Sequence, residues 1–186
     1  MNKNDSLLGF ALLGLLYGQP QSGYDLRKVF AQTAMGSFSD SPGAIYPALG
    51  RLEERGLVRG AVEESKSLRK RRVFKVTAKG LAALRAWLKQ PVMRDDVVRR
   101  IDELMLRFAF MGEVMGTERK MSFLREYDEL LSKYVPSLKE FHKTQAGKMP
   151  MSARLAFESG IEEYEARLRW ARSSLAAYEK GKRGAR

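Results

Sequence analysis

The stretch SDSPGAIYPALGRLEERGLV, residues 39–58, decides how the chain is read. Its second half has helical period: Ile45, Leu49 and Leu52 stand at i, i+4 and i+7 and share one face. Gly56 after Arg55 is a helix stop. Its first half uses poor helix formers, with Pro42, Gly43 and Pro47 within six residues. Pro42 suits a first turn, where the backbone N–H groups have no partner in any case. Gly50, in mid-helix, gives up about 1 kcal/mol of propensity against alanine. With Ile45, Ala48, Leu49 and Leu52 turned inward, the opposite face carries Gly43, Ala44, Pro47, Gly50 and Arg51, with Tyr46 and Glu54 near its edges. Small side chains let a helix axis lie close to another surface, and a helix N-terminus presents free N–H groups to phosphates. This favours a recognition helix, whose leading residues reach base edges in a DNA major groove, over an irregular core helix. The role of Pro47 depends on the first helical residue. A start at Pro42 leaves it beyond the tolerated first turn, whereas a start at Gly43 or Ala44 brings it inside.

Upstream, residues 6–18 (SLLGFALLGLLYG) are apolar nearly all round and predict a helix buried on several sides, with Asp5 or Ser6 as cap. Residues 22–32 (SGYDLRKVFAQ) predict a second helix, with Ser22 and Asp25 as a capping-box pair. Downstream, the period changes. LVRGAVE and RVFKVTA are short, β-branched and partly alternating, and ESKSLRKR joins them with four basic residues. That is a two-stranded hairpin with a positive tip. Residues 77–90 return to helix, capped by Thr77, and Pro91 ends it. Three helices followed by a hairpin form a winged helix-turn-helix, with the hairpin as wing.

Residues 92–186 carry no strand signal. The expected fold class is therefore mainly α: a winged helix-turn-helix with a two-stranded β wing over 1–90, an α-helical dimerisation domain over 91–180, and a basic tail over 181–186. Val98, Ile101, Leu104, Met105 and Phe108 have helical spacing within residues 95–110. Residues 116–145 are long and amphipathic, with Thr117 as cap and a kink or break expected near Tyr134, ahead of Pro136. In the last helix, Leu155, Ile161, Tyr164, Leu168, Ala171 and Leu175 form one stripe, with Ser152 as cap.

The net charge is +12 and it is segregated. Residues 1–90 hold 15 Lys/Arg against 7 Asp/Glu, whereas residues 91–179 hold 15 of each. A basic lobe on a neutral one points to a polyanionic partner, most often nucleic acid. Lys66, Arg69, Lys70, Arg71 and Arg72 fall within seven residues at the hairpin tip. Beside a recognition helix they are placed to neutralise phosphates, which supplies affinity and salt dependence but little sequence information.

Enzyme chemistry finds no support. The chain has no cysteine and one histidine, His142, so a thiolate or histidine metal site is not expected and no cofactor is implied. Asp102 and Glu103 are adjacent on a helix and point to different faces. The longest apolar run, residues 7–17, is too short to span a bilayer. No membrane partner is expected, and the chain reads as cytoplasmic. Trp87, Trp170 and the Phe and Met residues of the second half read as core or interface rather than as a ligand pocket.

LLGLLYGQPQSGYDLRK, SPGAIYPALGRLEERGLV and RVFKVTAKGLAALRAWL together resemble the PadR family of transcriptional regulators. The second half is similar, more loosely, to the α-helical C-terminal domain of the virulence-activator type, through IDELMLRFAFMG and the long helices. The resemblance implies a homodimer built on the C-terminal helices, with Leu104, Met105, Phe108, Tyr164, Leu168 and Leu175 at the interface. It implies a palindromic double-stranded operator and usually repression, sometimes relieved by a small hydrophobic or phenolic effector. It assigns DNA contact to the Ser41–Ala44 turn (Ser41, Gly43, Ala44), to Tyr46 and to the wing with its cations Lys66, Arg69, Lys70, Arg71 and Arg72; Ser22, Tyr24, Pro47 and Arg51 complete the expected contact set. Members commonly carry a Gly-Arg-Pro turn in the wing; SLRKRRVF has neither glycine nor proline. The rival readings are an effector-independent architectural or non-specific nucleic-acid-binding protein, and a protein-interaction module.

Overall fold

The computed structural model describes residues 6–33, 41–64, 70–112 and 114–184. The chain divides into two compact units, Met1–Gln90 and Pro91–Arg186. The first is a winged helix-turn-helix: α1 (Leu7–Gly18), β1 (Gln21–Ser22), α2 (Gly23–Gln32), α3 (Pro42–Glu54), β2 (Val58–Glu64), β3 (Lys70–Val76) and α4 (Ala78–Leu88). The second holds α5 (Arg94–Arg99), α6 (Ile101–Phe110), α7 (Thr117–Gln145), a 3₁₀ turn (Ala146–Lys148) and α8 (Met151–Gly184).

Local signals set the element ends of the first unit. The Ser6 hydroxyl accepts from Gly9 N at 3.2 Å, and Thr77 Oγ1 accepts from Gly80 N at 3.0 Å. Each relieves one of the orphan donors of a first turn. Gly56 closes α3 at φ 68°, a conformation that a side chain would oppose. Its N–H donates to the Glu53 carbonyl at 2.8 Å and that of Leu57 to the Leu52 carbonyl at 2.8 Å, the paired bonds of a Schellman end. The core gathers Leu12, Leu13 and Leu16 of α1, Leu26 and Phe30 of α2, Ile45 and Leu49 of α3, and Leu84 and Trp87 of α4, all buried. Trp87 stacks flat on Phe10, with ring centroids 4.7 Å apart. It is therefore core, as expected.

The sheet has three strands rather than two, in the order β1-β3-β2. β1 escapes a sequence reading because two residues cannot show a period. It forms because Gln21 and Ser22 lie opposite Phe74 and Val73 of β3, which ties the entrance of α2 to the wing.

In the second unit, the helix predicted over 95–110 breaks in two at Arg100, whose φ −130° and ψ 40° are not helical. The Arg100 guanidinium turns back to Asp96 Oδ1 at 2.7 Å. Gly116, not Thr117, is the N-cap of α7, and Ser152 lies inside α8. Pro136 does not end α7, which runs as one helix from Thr117 to Gln145. The proline sits on an exposed face, where water can satisfy the carbonyl it leaves without a partner. α7 and α8 run antiparallel: Lys182 pairs with Glu118, Arg172 with Asp128 at 2.7 Å, Lys139 with Glu165, and His142 with Glu158 at 3.2 Å. Such exposed pairs contribute little energy each, but their order is consistent with a single register.

Tyr127 of α7 is fully buried beside Trp170, and its hydroxyl has no hydrogen-bond partner among the described residues. Burial pushes its pKa up to about 12. The folded state thus holds the proton more tightly than the unfolded chain, where tyrosine titrates near about 10. Stability is full below pH ~10 and falls as pH rises toward 12. Tyr127→Phe removes both the desolvated hydroxyl and this alkaline loss. The variant is expected to be more stable by about 1 kcal/mol at neutral pH. Thermal melting at pH 7 and pH 11 checks both points, and a less stable variant at pH 7 would contradict the account.

Candidate nucleic-acid interface

α3 begins at Pro42, and Ser41 caps it: the Ser41 hydroxyl accepts from Gly43 N at 3.2 Å. Pro47 therefore lies inside the helix, beyond the first turn. It lacks the N–H that would reach the Gly43 carbonyl, and it is exposed, so that carbonyl is lost on the outer face. The inner face is as predicted: Ile45, Ala48, Leu49 and Leu52 are all buried. On the outer face, Ser41, Gly43, Pro47 and Arg51 are exposed, Ala44 and Gly50 are half-buried, and Tyr46 stands 50% exposed. A Cβ built on Gly50 would meet nothing within 4 Å. No packing among the described residues calls for glycine there.

The Tyr46 ring lies over Gly23, where a Cβ would come within 2.5 Å of it. Gly23 opens α2, which Ser22 caps: its hydroxyl accepts from Asp25 N at 3.2 Å and donates to Asp25 Oδ2 at 2.7 Å. That bond, aided by the nearby Arg71 guanidinium, holds the Asp25 carboxyl below its ordinary pKa against the opposing effect of partial burial. Ser22 is only 7% exposed and its hydroxyl is committed to this cap. It offers little surface to a ligand. Tyr24 is 51% exposed and lies 4.8 Å from the Lys28 ammonium.

The wing is the antiparallel pair β2 and β3, in register from Val58 opposite Val76 to Glu64 opposite Lys70. Lys66 and Arg69 lie outside the described residues, and Lys70 opens β3. Arg71 lies 3.6 Å from Asp25 and 4.0 Å from Glu63. Arg72 donates to Glu53 Oε2 at 2.7 Å. The two wing arginines are thus engaged with carboxylates of the helix-turn-helix and of β2, which sequence reading did not foresee. A cavity of about 420 Å³ opens between wing and α3, bordered by Tyr24, Tyr46, Gly50, Glu53, Arg71 and Arg72. Two aromatic rings, two carboxylate-engaged guanidinium groups and the bare flank of a helix thus meet at one opening.

Of the interface residues expected in the second unit, Leu104 is fully buried in the single chain and has no surface to give to a second copy. Met105, Phe108, Tyr164, Leu168 and Leu175 are half-buried. Phe108 and Tyr127 both meet Trp170 edge-on, at 5.4 and 6.3 Å. The larger exposed apolar side chains of this unit, which the stripe reading passed over except for Leu155, are Met93, Phe141, Met151, Leu155 and Trp170. Among the described residues, no three His, Asp or Glu side chains are placed to hold a metal, and no helix is long and apolar enough to cross a membrane.

Comparison with known proteins agrees with this geometry. The sequence model of the transcriptional regulator PadR-like family matches residues 12–86, from α1 to near the end of α4. Over 181 residues the chain is 24% identical to the negative transcriptional regulator PadR of Bacillus subtilis (strain 168), covering 94% of this chain and 98% of that protein. Among crystal structures, Bacillus subtilis PadR in complex with operator DNA is 22% identical, covering 93% of this chain and 99% of that one, with a TM-score of 0.43. Bacillus subtilis PadR in complex with p-coumaric acid is 21% identical, covering 96% and 99%, with a TM-score of 0.41. These whole-chain superpositions are loose, so the assignment rests on the matched domain. Residues 12–86 thus form a domain that matches the transcriptional regulator PadR-like family, a family of regulators.

Proposed function

We propose that this regulator acts as a cytoplasmic homodimer that binds a palindromic DNA operator and represses transcription. One observation carries the DNA reading: the outer face of α3 is kept small where nothing among the described residues requires it, at Gly50 above all. Conformational freedom is not the reason, since Gly50 lies in regular helix. Close approach of a duplex supplies the reason. Ser41, Gly43, Ala44, Tyr46, Pro47 and Arg51 would enter the major groove. Tyr24 and the tip cations Lys66, Arg69 and Lys70 would meet flanking backbone. Repression follows the negative regulator to which the chain is similar. α6 and α8 would supply the dimer contact, with Met105, Phe108, Tyr164, Leu168 and Leu175 as candidates and Leu104 behind them. A small hydrophobic or phenolic effector belongs to this reading through the family resemblance, with no residue assigned to it.

Selection from a random duplex pool tests the proposal. Two inverted half-sites are expected, centred about 10 base pairs apart or a multiple of that. A recovered pool with no sequence preference would favour charge-only, architectural binding instead.

A further inference from the structure

The geometry points to Glu53 and Arg72 as a clamp that sets the angle between the wing and α3; Arg72 is then a positioning residue and not a phosphate contact. The inference rests on the reading of this face as a duplex-binding surface. Glu53 stands in the last turn of α3 and reaches both wing strands at once. Its Oε2 accepts from Arg72 of β3 at 2.7 Å, and its Oε1 accepts from the Gly60 N–H of β2 at 2.8 Å. Gly60 and Phe74 are paired across the strands, and the Arg72 guanidinium lies 5.5 Å from the centre of the Phe74 ring. A Cβ on Gly60 would fall 2.6 Å from Arg72 Nε and 2.9 Å from Glu53 Oε1. So the strand glycine, an unfavourable choice in mid-strand, leaves the space that the clamp fills. Three elements converge on one carboxylate. An acidic side chain on a face that meets a polyanion is otherwise costly, and the clamp gives it a purpose.

Charge counting and positioning predict opposite signs. Glu53→Gln removes a negative charge beside DNA, which by charge alone tightens binding. Loss of the clamp weakens it, because α3 and the wing no longer engage one duplex in the same register. The test measures affinity for the duplex selected by the wild-type chain, and for a random duplex of equal length, across salt concentrations. Glu53→Gln, Arg72→Gln, the double variant and Gly60→Ala are compared with wild type, and thermal melting is followed alongside. The clamp predicts that Glu53→Gln and Arg72→Gln each weaken binding to the selected duplex by about three- to tenfold. The double variant is no weaker than either single one. The salt slope stays unchanged, and the preference over random duplex narrows. Gly60→Ala, which keeps both charges and pushes them apart, follows the same pattern. It decides the matter if Glu53→Gln melts below the assay temperature. Equal or tighter binding by Glu53→Gln, a slope lowered by about 0.9 in Arg72→Gln, or wild-type binding by Gly60→Ala overturns the clamp. Failure of the wild-type chain to prefer any duplex overturns the regulator reading, and the clamp with it.

Discussion

Gly43→Glu is expected to lower affinity for the selected duplex by about 100-fold at physiological salt while leaving the first unit at least as stable. The two effects have separate causes. Gly43 is the second residue of α3 and is exposed, and a Cβ there would meet only Ser41 Oγ, at 3.4 Å. Glutamate at that position suits the positive end of the helix and replaces the weakest helix former short of proline, a gain of about 1 kcal/mol. The same carboxylate would sit where the account places DNA phosphates and base edges, and it would neutralise the end that attracts them. Gly50→Ala should show the same opposition in milder form, since its methyl group enters open space within the chain. Binding titration and thermal melting on one preparation check both signs. Undiminished affinity in Gly43→Glu would remove α3 from the interface.

The largest loss of stability is expected at Asp96. This residue and Arg107 are both buried in the second unit, at 6% and 2% exposure. Asp96 Oδ2 accepts from Met93 N at 2.8 Å and lies 3.7 Å from Arg107 Nη1, while Oδ1 meets Arg100 at 2.7 Å. Burial pulls the Arg107 pKa down and the Asp96 charge opposes that shift, so the guanidinium depends on the carboxylate. Asp96→Ala takes from a buried cation the carboxylate that most opposes its desolvation and removes the α5 cap. The expected cost is about 3 kcal/mol, a fall of roughly 10–20 °C in melting temperature for a unit of this size. Asp96→Ala with Arg107→Met should recover most of it, because an apolar side chain of similar length needs no counter-charge. Additive losses in the double variant would show that the two residues act independently.

What could be read from the sequence was local. The inward face of α3, the Ser6, Ser22 and Thr77 caps and the Gly56 stop each depend on residues within about one turn, and each stands in the structure. What could not be read depends on distant partners. β1 exists only because β3 lies beside it, and nothing in Gln21-Ser22 announces a strand. The Arg100 break carries neither glycine nor proline; a side-chain contact accompanies it. Pro136 misleads in the other sense, since an exposed helix face tolerates it. At the interface, Arg71 and Arg72 look like free cations in a charge run, and their carboxylate partners stand 46 and 19 residues away. Gly60 in mid-strand was the one available sign of a close approach there. The exposed residues Gly43, Tyr46, Pro47 and Arg51 do share one flank of α3, as the spacing required, and Ser41 stands at its N-cap.

Sequence-specific duplex binding is the central claim, and a salt titration against the selected duplex and a random duplex of equal length tests it most directly. Both affinities are expected to fall as salt rises, with the selected duplex held about a thousandfold or more tighter at physiological salt. Equal affinities for the two duplexes at every salt concentration would contradict it.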